Sequence, residues 1–226
     1  AGWLAAWIYT RDYFKKPKRD QLKINFLSTL KSSTPFLVLS ISITSLYSSD
    51  LILVKHFFSS YEAGIYAAMS FLGRIIFFGV SPITAVMFPI VAKSYINGER
   101  GLSVLKLSLV GGFLIALAVN LIYGFFPSLV VGQLYGDKYL GSSELLLLFG
   151  IFITLVTFSF LLLNYELIIN RYRAVWVSLF AAISQIIFIW FYHSNLFSVI
   201  FVSIIASLIL FVYLMFDTFY LSRKNR

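Results

Sequence analysis

Six stretches of about twenty residues, each nearly free of charge, follow one another along this chain, and nothing else in it constrains the fold as strongly. A helix rises about 1.5 Å per residue, so about 20 apolar residues cross the hydrocarbon core of a bilayer. The runs fall at about 35–55, 62–92, 104–126, 143–163, 174–192 and 196–216. Thr34 before Pro35 reads as an N-cap and first-turn pair opening the first run. Pro82 and Pro89 interrupt the second and are expected to kink it. Hydrophobic residues make up 60% of the chain and charged residues 12%, too apolar for any water-soluble core of this size to hide. The expected fold is therefore all-α, a polytopic membrane helix bundle of six complete transmembrane helices. Residues 1–9 read as the end of a truncated transmembrane helix, because nine residues cannot span a bilayer. Residues 10–34 then form a basic cytoplasmic linker, 35–216 the bundle and 217–226 a cytoplasmic tail.

A net charge of +9 suggests nucleic acid only if the basic residues gather into one solvated patch, and here they lie scattered between apolar runs. Nucleic acid is therefore not expected as a partner. Lys and Arg number seven in residues 10–34, one at Lys55, three in 93–106, one at Lys138, two in 171–173 and three in 223–226. Fifteen thus fall on one side of the expected topology and two on the other, which places the 10–34 segment and the C-terminus in the cytoplasm.

Nothing in the sequence reads as an enzyme. It holds no nucleophile elbow, no clustered carboxylates, no histidine pair at ligand spacing and no phosphate-binding glycine loop. Zero cysteines exclude disulfides and thiolate metal sites, so neither metal nor cofactor is expected. His56 and His193, far apart in sequence, read as interfacial side chains at outer helix ends.

Arg74 stands out because it lies about twelve residues, roughly 18 Å, into its helix. An arginine at that depth costs at least about 2.5–3.5 kcal/mol and needs protein, water or an anion around it. Asp50 is the nearest internal candidate, although about 10 Å separates the two in expected depth. Two readings stand side by side: an Asp50–Arg74 bridge that fixes a hairpin, or an Arg74 that faces a cavity and meets an anionic substrate. As an extension of the second, Asp50 would hold a coupling ion. Ser108, Gly112, Ala116, Asn120 and Gly124 form a ridge of mostly small residues suited to close helix packing. Ser40, Thr44 and Ser48 form a more polar row that would either bond to a neighbouring helix or line a hydrated path.

Four motifs then come in order. They are Asp50-Leu51-Ile52-Leu53-Val54-Lys55 before a short turn, Glu62-Ala63-Gly64-Ile65-Tyr66-Ala67-Ala68, Phe88-Pro89 before a basic loop, and Leu134-Tyr135-Gly136-Asp137-Lys138-Tyr139 before the next helix. Together they resemble the C-terminal half of the polysaccharide (O-antigen type) flippases, of the multidrug, oligosaccharidyl-lipid and polysaccharide exporter superfamily. The resemblance covers nearly all of residues 20–220. It implies two six-helix bundles facing each other around a cavity, this chain being the second, with the missing N-terminal six-helix bundle of the same protein as its partner. It also implies a multi-pass protein of the plasma (inner) membrane that moves polyprenyl-diphosphate-linked glycan between leaflets by alternating access, for export of lipopolysaccharide or exopolysaccharide, among membrane lipids. Arg74 matches in kind the basic cavity residues that attract the diphosphate in that family. Two alternatives remain: a multidrug antiporter of the same superfamily relying on Asp50, and a membrane glycosyltransferase or polysaccharide polymerase. The last would be expected to carry its catalytic groups in a sizeable loop.

Overall fold

A computed structural model of the chain describes residues 26–221. The chain divides into two units, residues 1–34 and 35–226. Of the first, only residues 26–34 are described, as helix. The expected stub at 1–9 and most of the basic linker lie outside the described residues, as do 222–226 of the tail.

The described residues form seven α-helices in order: α1 (Phe26–Phe57), α2 (Ser60–Ile96), α3 (Leu102–Phe125), the short α4 (Pro127–Tyr135), α5 (Leu145–Ile168), α6 (Arg173–Phe191) and α7 (Leu196–Phe216). A 3-10 turn over Asp137–Ser142 links α4 to α5, and a π-helical turn over Asp217–Leu221 continues α7. Among the described residues there is no strand. Six of the helices are long and apolar enough to cross a membrane: Ser33–Phe57, Ser60–Ile96, Leu102–Phe125, Leu145–Ile168, Arg173–Phe191 and Leu196–Tyr220. The protein is a polytopic helix bundle of the expected kind.

Several ends differ from the sequence expectation for identifiable reasons. The Thr34 hydroxyl, expected to cap a helix, instead donates to the Leu30 carbonyl at 3.0 Å inside α1, which runs from Phe26 through Pro35. The last nine residues of the expected linker are thus helical. Helix α2 opens on a capping box that the sequence already carried: Ser59 Oγ accepts from Glu62 N while the Glu62 carboxylate accepts from Ser59 N. It continues through both prolines to Ile96. Helix α5 runs five residues past the expected end because Asn170, at φ 59°, forms the left-handed closure. There Arg171 N donates to Glu166 O at 2.9 Å and Asn170 N to Leu167 O at 3.2 Å, the paired bonds of a Schellman end. Asp217 and Thr218, assigned by sequence to the cytoplasmic tail, are buried.

Within the 35–226 unit α5 is the central element. Helices α2, α3, α6 and α7 all pack on it, and Phe149, Phe152, Ile153, Val156, Leu161 and Leu162 are sealed from solvent. The small-residue ridge of α3 packs along its first three members: Ser108, Gly112 and Ala116 are buried, and a methyl added at Gly112 would stand 3.1 Å from Val80 of α2, whereas Asn120 is half-buried and Gly124 exposed. Large apolar side chains crowd the outer faces, among them Phe78, Phe113, Phe180, Phe191 and Ile209. That inverts the surface of a water-soluble protein and suits a hydrocarbon solvent.

Candidate functional site

The α1–α2 hairpin sets the geometry around Asp50 and Arg74. The helices run antiparallel from the turn at residues 58–59, so residues equally far from it stand level. Asp50 is seven residues before the end of α1 and Tyr66 six after the start of α2, both about 10 Å deep. Arg74 is fourteen residues into α2, about 21 Å. Accordingly the fully buried Asp50 carboxyl pairs with Tyr66, whose hydroxyl donates to Oδ2 at 2.7 Å, while Leu51 N donates to Oδ1 at 2.8 Å. Arg74 and Asp50 form no ion pair, although each lies within electrostatic reach of the other. The sequence reading missed Tyr66; the signal was its matching distance from the turn.

Arg74 takes a different partner. Its Nη2 donates to the Tyr47 carbonyl at 2.9 Å, with the guanidinium carbon 5.2 Å from the Tyr47 ring centroid. The Leu51 amide, which would close the helical turn onto that carbonyl, donates to Asp50 Oδ1, so Arg74 takes a neutral backbone acceptor and no ion pair. Nε is buried with no hydrogen-bond partner, and the side chain is half-buried. Rings continue from there, Tyr47 to Phe77 at 5.5 Å and Phe77 to Phe160 of α5 at 5.3 Å. Beyond them opens a cavity of about 500 Å³ beside Pro82 and Pro89, with Ser81, Thr84 and Asn164 as its polar points. On α1, Ser40 and Thr44 are exposed and Ser48 half-buried, and none of the three hydroxyls bonds to a described residue. Thr44 lies one helical turn from Tyr47. The cavity's lining includes neither Arg74 nor a residue of α1, so the cation and the cavity are connected only through the Tyr47, Phe77 and Phe160 rings.

Two other clusters came together without being foreseen. At the α1 and α6 ends, the Phe57 ring stacks on His193 at 3.8 Å and His56 stacks on Trp190 at 5.9 Å, so the two histidines belong to one aromatic plug. At the opposite end of α5, Thr218 donates to Glu166 Oε1 at 2.6 Å, and Arg171 Nη2 bonds Asp217 Oδ1 at 3.0 Å. Glu166 Oε2 stands 3.3 Å from Arg171 Nη1, an ion pair without the alignment of a hydrogen bond. These groups tie α5, the α5–α6 turn and the end of α7 into one knot. Among the described residues no three His, Cys, Asp or Glu side chains gather as metal ligands.

No protein-family model, curated protein or solved structure matches this chain.

Proposed function

We propose that this chain is the C-terminal bundle of a flippase that carries polyprenyl-diphosphate-linked oligosaccharide across the plasma membrane by alternating access. The observation that carries the reading is the division of labour in the hairpin. Asp50 takes its hydrogen bond from Tyr66, which leaves the deep guanidinium of Arg74 held by a neutral carbonyl and in no ion pair. A planar guanidinium with donors to spare is suited to grip two phosphate oxygens. The unbonded hydroxyls of Ser40, Thr44 and Ser48 suit a hydrated path beside it. A drug antiporter would instead need Asp50 open to a cation, and the burial of that carboxyl behind Tyr66 speaks against it. The distribution of Lys and Arg, fifteen against two, favours a cytoplasmic C-terminus.

The test is glycan export by the full-length parent, read beside a quantitative immunoblot. Arg74→Lys is expected to keep partial export, and Arg74→Ala and Arg74→Glu none, all at near-normal membrane levels. Normal export by well-expressed Arg74→Ala would remove this residue from the site and with it the support for the reading.

A further inference from the structure

Two arginines stand two residues apart at the start of α6 and live in opposite circumstances. Arg171 is committed to Glu166 and Asp217. Arg173 is exposed and makes no hydrogen bond or ion pair with a described residue. One turn further along α6 begins an apolar cleft of about 400 Å³ between α6 and α7, bounded by Val177, Ala181 and Ser184 on one side and Ala206, Ile209 and Tyr213 on the other. Arg173, Val177, Ala181 and Ser184 recur at spacings of three and four and so form one stripe. Ala181, Ser184 and Ala206 are small, which is why a trough exists there. Its one hydroxyl from α6, on Ser184, is already given to the Ala181 carbonyl at 2.8 Å. Tyr213 lies within electrostatic reach of Arg173.

From Arg173 to Ser184 is eleven residues, about 16 Å of helix. That is about half of a 30 Å hydrocarbon core, the depth of one leaflet's acyl chains. A trough of that length, apolar but for the Ser184 and Tyr213 hydroxyls, with an unpaired guanidinium at its shallow end, matches an amphiphile with an anionic head and a hydrocarbon tail. The charge selects the head and the trough selects the tail.

We propose that the α6–α7 cleft is a binding site for one anionic glycerophospholipid, its phosphate on the Arg173 guanidinium and one acyl chain laid along Val177, Ala181 and Ser184. The site is separate from the Arg74 face and stands whether or not the flippase reading does. A bound lipid there wedges the outer edges of α6 and α7, the pair whose ends the Glu166 knot already ties.

Trp176, exposed and one turn from Arg173, provides the readout once Trp3, Trp7 and Trp190 are replaced by Phe. The full chain goes into phosphatidylcholine nanodiscs carrying a minor fraction of acyl-brominated phosphatidylglycerol, or acyl-brominated phosphatidylcholine in its place, and quenching of Trp176 gives the relative association of each lipid. The expected preference for phosphatidylglycerol is about fivefold, the contribution of one basic residue at a membrane surface. Arg173→Gln should reduce it to parity and Arg173→Lys should keep most of it. Ala181→Phe, which fills the trough but spares the charge, should also abolish the preference. Arg173→Gln with its preference intact would overturn the site. Ala181→Phe with its preference intact would overturn the seated chain, leaving only diffuse attraction to anionic lipid.

Discussion

Replacing Tyr66 by Phe removes one oxygen from the centre of the α1–α2 hairpin and leaves the packing volume almost unchanged. Tyr66 and Asp50 are both fully buried and their oxygens stand 2.7 Å apart. After the change the carboxyl keeps only the Leu51 amide, and no water reaches a group with zero exposure. A hydrogen bond to a charged acceptor contributes about 1.5–3 kcal/mol, and leaving the buried acceptor short adds to the loss. Tyr66→Phe should therefore destabilise the full chain by about 2–3 kcal/mol in reversible mixed-micelle unfolding followed by circular dichroism. Asp50→Asn in the same background supplies the cycle: the double variant should be less destabilised than the sum, with a coupling of about 1–2 kcal/mol. Arg74→Ala should cost about 1 kcal/mol, since its one hydrogen bond goes to a backbone carbonyl from a half-buried side chain. The reasoning fails if Tyr66→Phe costs less than about 0.5 kcal/mol, or if Asp50 couples more strongly to Arg74 than to Tyr66. The first result would deny the phenol its role in the hairpin, and the second would give that role to the charge of Arg74.

Arg171→Ala should cost about 3 kcal/mol, because it strands Glu166 and Asp217 together in a buried site; Glu166→Gln in the same variant should recover part of the loss in the same unfolding assay. A methyl at Gly150 would collide with Asn120 Oδ1 and come within 3.2 Å of Tyr123, so Gly150→Ala should cost about 1–3 kcal/mol, and Asn120→Ala should relieve most of it. Single cysteines at Ser94 and Tyr172 should resist an impermeant reagent added outside intact cells while one at Lys55 reacts; labelling at the first two sites would invert the topology.

The bundle was legible in the sequence because spans are written in hydropathy, and a bilayer admits only helices or closed barrels. The ends were less legible. Asn170 closes α5 through a left-handed backbone that many short polar residues would also permit, and nothing in the linear pattern marks Glu166 as buried beside the residues at 217 and 218. The candidate site was half visible. Arg74 stood out by its cost in hydrocarbon, and its offset of about 10 Å from Asp50 was readable, because moving both helix ends by two residues shifts the two depths together. The capping box of Ser59 and Glu62, present in the sequence, fixes the start at Ser60 and would have shown Tyr66 to stand level with Asp50. The histidine plug was beyond reach, since only the pairing of α1 with α6 brings residues 56 and 193 together.

Helix lengths in this bundle are unequal, and that has a mechanical consequence. Helix α2 has 37 residues, about 55 Å, whereas α6 has 19, about 28 Å. No tilt within the usual range of about 0–40° fits 55 Å into a 30 Å core, so α2 is longer than the hydrocarbon by at least about 10 Å. Helix α2 thus carries length that the lipid does not cover. A change in bilayer thickness leaves such a rod indifferent and falls on α6, which has no length to spare. Thinner and thicker membranes would thus strain the short helix while the long one merely shows more or less of its stem.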